Sequence, residues 1–182
     1  MKIHLFGASG SGVTTLGKAL AQKLAIPYFD SDNYYWMESD PPFTIKRDVN
    51  ERQAMVKQLL HQHADWIFGG SVISWDPSTF PPFDLVVFLW IPPAVRMERI
   101  KAREYARYGE HIYNDPVQKK VTEDFLIWSA DYDNNTGIAK RTLQAHEEWL
   151  AKCQCPVLQI RGDYTTDQRI AVIMNKLKEH ES

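Results

Sequence analysis

A glycine-rich turn close to the start of the chain constrains its fold more than any other feature. Gly7, Gly10 and Gly12, interleaved with Ala8, Ser9 and Ser11 and followed by Val13, Thr14 and Thr15, join a short apolar run to a helical stretch. The run is Ile3 to Phe6, and the stretch extends from about Val13 to Leu24 with Leu16, Ala19, Leu20 and Leu24 on one face. A strand that enters such a turn and leaves as a helix gathers backbone N–H groups at the positive end of a helix dipole. That makes an anion site, and phosphate is its natural occupant. The glycines and the hydroxyl residues at this junction exceed what chain reversal alone requires.

The spacing from Gly7 to Gly12, followed by Thr14, fits the phosphate-loop pattern G-x-x-x-x-G-K-[ST] at every defined position but one. Position 13 should be Lys and is Val13. The lysine carries charge to the β- and γ-phosphates, and losing one preorganised donor of this kind costs roughly 3–4 kcal/mol, about 100- to 1000-fold in rate. Lys18 lies about 140° around the helix and some 7 Å along it, a poor replacement. Arginines of a mobile element are better placed to compensate. A Rossmann dinucleotide site is the rival reading, with Asp30 or Asp32 as the acidic residue after the second strand. The glycine order here is G-x-x-G-x-G rather than G-x-G-x-x-G, and the Thr14-Thr15 pair has a role only in the phosphate-loop reading, as a magnesium-side hydroxyl.

The remaining chain alternates short β-rich runs with longer helical stripes, without internal repeats. Pro27 to Phe29 reads as a strand, residues 33 to 49 as a long irregular loop, and Asn50 to His63 as a helix capped by Asn50 with Gln53. Trp66 to Phe68 reads as a buried strand ending at Gly69-Gly70-Ser71, and Leu85 to Ile91 as a central parallel strand. Helices are expected from Ala94 to about Tyr108, Pro116 to Tyr132 and Ile138 to Ala151. A last strand at Val157 to Ile160 precedes a helix capped by Thr165 and Gln168. Five strands with interleaved helices predict a three-layer, doubly wound α/β fold around a five-stranded parallel sheet. With 182 residues, a single domain is expected.

Composition narrows the function classes. A net charge of −2 gives no overall attraction for nucleic acid or an anionic membrane, so any polyanion must meet a local cluster. No apolar run is long enough to span a membrane or direct export, and Cys153 and Cys155 read as free thiols, so the expected location is the cytoplasm. The six histidines, His180 among them, show no zinc-ligand spacing. Four arginines, Arg96, Arg99, Arg103 and Arg107, fall on one helical face, partly offset by Glu98 and Glu104. That stripe reads either as a charged solvated face or as an anion-binding one.

With Phe29-Asp30-Ser31-Asp32 after the phosphate-loop helix, the chain resembles the P-loop small-molecule kinases, the group of the nucleoside monophosphate kinases, shikimate kinase and gluconate kinase. The resemblance covers nearly the whole chain. It implies a single P-loop domain over residues 1–182, with an acceptor-binding region at about 31–63 and a lid at about 99–137. ATP phosphates would lie in the loop from Gly7 through Ala8, Ser9, Gly10, Ser11, Gly12, Val13 and Thr14 to Thr15. Mg2+ would lie at Thr14 and Asp30, with Asp32 at the acceptor or acting as base. Gly69-Gly70-Ser71 resembles the glycine run lining the shikimate kinase acceptor site rather than the Asp-Gly-Phe-Pro-Arg of adenylate kinase. Arg47 and Arg52 lie in the acceptor region, where a guanidinium suits phosphate or carboxylate alike. Tyr34, Tyr35, Trp36 and Phe43 either stack on a base or pack over the core. Arg99 and Arg103 match the family's lid arginines, and Arg141 resembles the one that closes the lid from the other side.

The implied activity is ATP-dependent transfer of a γ-phosphate to a nucleoside monophosphate or another small hydroxyl compound. A nucleotide-binding module that lost turnover with its lysine is the alternative, and a nicotinamide-dependent oxidoreductase the third.

Overall fold

A computed structural model of the chain describes residues 1–40 and 42–179, which leaves Pro41, within the segment 33–49, and His180 outside the described residues. Five parallel strands, β1 (Lys2–Gly7), β2 (Tyr28–Asp30), β3 (Trp66–Gly69), β4 (Leu85–Trp90) and β5 (Val157–Arg161), form one sheet in the order β2-β3-β1-β4-β5. The predicted doubly wound α/β class is the observed one. The order also excludes the dinucleotide-binding reading, because β3 separates β1 from β2, whereas a Rossmann half places β2 beside β1.

The helices are α1 (Val13–Leu24), α2 (Asp32–Tyr35), α3 (Val49–His61), α4 (Pro93–Tyr108), α5 (His111–Asn114), α6 (Pro116–Asn134), α7 (Leu143–Leu150) and α8 (Thr166–Glu179). Alternation along β1 sorts the two faces of the sheet. Ile3 and Leu5 join Leu16, Leu20, Ile170 and Ile173 beneath α1 and α8, while His4 and Phe6 turn to the opposite face, where Phe68, Phe83 and Trp149 surround them. Both faces are covered, as a parallel sheet requires.

Several boundaries differ from expectation for local chemical reasons. The segment expected to be irregular after β2 begins with α2 and is folded back on itself by a bridge between Trp36 and Lys46. Helix α3 is capped by Asp48, whose carboxylate accepts from the N–H groups of Asn50 and Glu51, so Asn50 lies inside the helix rather than at its cap. The helix expected from Ile138 starts only at Leu143, because Thr142 caps it and accepts from the Ala145 N–H. Thr165 and Gln168 form the expected reciprocal cap of α8.

Candidate active site

The site lies at the carboxyl ends of the strands, where the chain leaves β1 and β4 in opposite directions. Gly7 ends β1 so close to β4 that a Cβ there would sit 2.4 Å from the Leu89 carbonyl oxygen. Gly12 adopts a left-handed φ of 92° as the N-cap of α1, a conformation that favours glycine. Gly10 rests on α4, where a Cβ would meet Ile100 and Arg96. Val13 packs its side chain against the core beneath α1, and Lys18 points to solvent, so the loop receives no lysine from its own helix.

Two arginines hold the outer side of this loop. Arg96, 1% exposed, donates to the Ser9 carbonyl at 3.1 Å, to the Ser129 carbonyl at 2.7 Å and to Asp133 Oδ2 at 2.5 Å. Arg169 of α8, 4% exposed, donates from Nη1 to the Ser11 carbonyl at 2.8 Å. Arg96 thus leaves the four-arginine stripe expected on one face, because burial against α6 draws it beneath the loop, while Arg99, Arg103 and Arg107 stay partly exposed. Arg169 escaped the sequence reading, although one signal was present: it lies four residues before Ile173, on the apolar face of its helix.

Asp30 and Asp32 flank the loop's exit. Thr14 Oγ1 and the Tyr28 hydroxyl both donate to Asp30 Oδ2, at 2.9 and 3.0 Å, and the Asp32 N–H donates to Asp30 Oδ1 at 3.1 Å. Asp30 is therefore fixed beside the first turn of α1. The Asp32 side chain reaches water. Restricted solvation and the neighbouring Asp30 charge push its carboxyl above the usual range, against the opposing pull of Arg141, Arg103 and Arg107. Those three arginines, from two separate segments, therefore act on one carboxyl group.

Beyond Asp32, arginines pack against aromatic rings. Arg52, buried on α3, lies over the Tyr35 ring at 4.4 Å and the Trp75 ring at 5.0 Å. Arg141 lies over Tyr35 at 5.9 Å and Trp128 at 5.5 Å. Neither makes a direct ion pair with a carboxylate among the described residues, and Nε of Arg52 is buried without a hydrogen-bond acceptor. Arg47 differs: it donates to Glu51 at 2.8 Å and to the Tyr34 carbonyl at 3.1 Å, pinning the loop after α2. The aromatic cluster divides accordingly. Tyr34 packs over the core near Phe68, Tyr35 carries the two guanidiniums, and Trp36 meets Phe43 edge-on.

Gly69 and Gly70 let this wall close. A Cβ at Gly69 would strike the Tyr28 hydroxyl at 2.2 Å, and one at Gly70 the Ser31 hydroxyl at 1.9 Å. Ser71, instead of lining open space, is buried and 2.9 Å from His146 Nε2, whose Nδ1 is 2.9 Å from the Tyr132 hydroxyl. Burial holds His146 neutral, its pKa lowered to about 3.

On α4, Arg99 pairs with Asp163 at 2.5 Å, and the buried Glu104 receives Arg103 at 3.2 Å and Arg107 at 3.9 Å. Arg141 is on no helix. It lies in the segment between α6 and α7, which Asp131 organises by accepting from Thr136 N at 2.7 Å, Thr136 Oγ1 at 2.5 Å and Ala139 N at 2.7 Å. Those hydrogen bonds hold the Asp131 carboxyl at about 2. No spacing in the sequence announces Asp131, because its partners are made by the turn itself.

A profile of the family described as "AAA domain" matches residues 3–123. Over 178 residues the chain is 39% identical to "Uncharacterized protein YqaC" of Bacillus subtilis, spanning 98% of each chain. It is 31% identical to a shikimate kinase of Bacteroides fragilis over 59% of this chain and 65% of that one. Among solved structures, a shikimate kinase from Acinetobacter baumannii in complex with shikimate superposes with a TM-score of 0.55 at 15% identity, covering 100% of this chain and 94% of that chain. That last likeness is one of fold. No helix among the described residues is long and apolar enough to cross a membrane.

Proposed function

This chain belongs to the AAA domain family and to the P-loop small-molecule kinases, and from that premise we propose that it transfers the γ-phosphate of ATP to a small hydroxyl compound bearing an anionic group. The observation that carries the acceptor's chemistry is the pair Arg52 and Arg141, two guanidiniums on one Tyr35 ring, neither in a direct ion pair among the described residues. Buried or half-buried cations without a direct ion pair favour an anionic ligand. In this reading a carboxylate or phosphate on the acceptor pairs with these guanidiniums, and Asp32 receives the hydroxyl.

Magnesium fits the residues present. Thr14 and Asp30 offer hard oxygen donors in hydrogen-bond contact, and a phosphate-bound Mg2+ needs only one or two protein oxygens. Bound there, it would neutralise charge on the phosphates of ATP. The protein's own part is positioning. Backbone N–H groups of the Gly7-to-Thr15 loop hold the phosphates, the Ser11 N–H excepted, since it donates to the Ala8 carbonyl. Asp32, its proton affinity raised, accepts the proton as the acceptor oxygen bonds to the γ-phosphorus and the bond to the β-phosphate oxygen breaks. Arg99, Arg103 and Arg141 bring charge to the transferring phosphoryl group. The acceptor region at 31–63 and the lid at 99–137 are assigned on the same grounds.

The test is ATP consumption with Mg2+ against shikimate, gluconate, nucleoside monophosphates and neutral polyols. Turnover is expected only with anionic acceptors, and Asp32→Asn should lower kcat by about 100- to 10,000-fold. Turnover on neutral polyols with equal efficiency would remove the role given to Arg52 and Arg141. Val13 favours a second reading, a nucleotide-binding module without turnover, and ATP binding with no consumption on any acceptor would select it.

A further inference from the structure

Position 13 contributes no charge to the phosphate loop, and the exposed arginines of α4 are already paired, Arg99 with Asp163 and Arg103 and Arg107 with Glu104. Charge also reaches the loop from behind. In a turn whose N–H groups converge on an anion, carbonyls of the same backbone face outward, and two of these accept from buried guanidiniums: Ser9 from Arg96 and Ser11 from Arg169.

The two arginines are not equivalent. The Arg96 charge is matched by Asp133 at 2.5 Å. Arg169 makes no ion pair among the described residues, and its Nε and Nη2 are buried without an acceptor. Its pKa is lowered by burial and by the nearby Arg99, with Asp163 opposing. A buried guanidinium in that state is costly, and an anion across the loop relieves it. The hydrogen bond at Ser11 also polarises the Ser11–Gly12 peptide, which strengthens the Gly12 N–H as a donor. Gly12 leaves the room required, since a Cβ there would come within 3.0 Å of Arg169 Nη1.

We propose that Arg169, acting through the Ser11–Gly12 peptide from the outer side of the loop, supplies the fixed positive charge that the loop's missing lysine would otherwise bring to the nucleotide phosphates. It is a positioning residue, since its guanidinium is buried and meets the loop through the Ser11 carbonyl. The assignment rests on the nucleotide-binding reading above and deepens it.

The experiment is calorimetric titration of the full chain with ATP and, separately, with adenosine, which has no phosphate. Arg169→Gln keeps a donor for the Ser11 carbonyl and removes the charge. It is expected to weaken ATP binding at least tenfold and adenosine binding threefold or less. Arg169→Lys should hold ATP affinity within threefold, and Val13→Lys added to Arg169→Gln should return most of the loss. The proposal is overturned if Arg169→Gln binds ATP within twofold of the natural chain, loses ATP and adenosine affinity alike, or is not rescued by Val13→Lys. If Arg169→Gln does not fold, Arg169→Lys decides: retained ATP affinity upholds the assignment, and a tenfold loss overturns it. A natural chain that binds no nucleotide would instead sink the functional reading itself, a separate result.

Discussion

Gly70 has a left-handed φ of 104°, and any side chain there would press on Ser31. Ala costs about 1–2 kcal/mol in that backbone region before the clash is counted. Gly70→Ala is therefore expected to lower stability by about 2 kcal/mol or more, read as a shift of the urea midpoint; an unshifted midpoint would show that the turn accommodates a side chain. Asp32 carries a pH prediction of the same scale. Its deprotonated form accepts the proton, so activity falls as pH drops through its raised pKa. Arg141 pulls that pKa down, so Arg141→Met should move the acidic limb of the kcat profile to higher pH. A limb that stays in place would mean that Arg141 does not act on Asp32. The acidic pair and the glycine run stood out in the sequence as residues; their contacts with Thr14, Tyr28 and Ser31 did not, because β2 and β3 meet only in the sheet.

The segment between α6 and α7 shows how an element can carry a site without regular structure. Periodicity extended a helix back to Ile138, but the Thr142 cap and the three hydrogen bonds on Asp131 favour a compact turn, which delivers Arg141 to Tyr35 and Trp128. Asp131→Ala should loosen that turn and raise the acceptor KM about tenfold or more, with ATP affinity held near its natural value. Equal losses for both substrates would point to general damage instead. Helix α4 was legible as an arginine stripe, yet its division into a buried Arg96 and three outer arginines depends on α6 lying across its start. Sequence spacing places side chains on a face; it does not say which neighbour covers that face.

Across the whole molecule, the sheet order and the two core faces decide behaviour in acid. His4 and His146 are buried and neutral, with pKa values of about 4 and about 3 against an ordinary 6.5. Below about 6.5 the unfolded chain takes up protons on both while the folded chain does not, so stability falls with pH until the folded values are reached. The cost is about 1.4 kcal/mol per pH unit for each histidine, an upper bound. Denaturant melts from pH 6.5 to 4.5 should show this slope, and His4→Phe, which suits a position between Phe6 and Phe83, should reduce it; an unchanged slope would remove His4 as a cause.

The sequence by itself determined the strand-turn-helix at Gly7 to Thr15, the five strands, and hence the α/β class, because glycine turns, apolar runs and caps act over neighbouring residues. It also marked Asp30, Asp32 and the arginines as chemistry-bearing groups. Tertiary structure alone decided that β3 lies between β1 and β2, that Arg52 and Arg141 share Tyr35, and that Arg169 reaches the loop from the last helix. Each of these depends on contacts between residues far apart in the chain, and what sets them is which surfaces bury one another as the layers close.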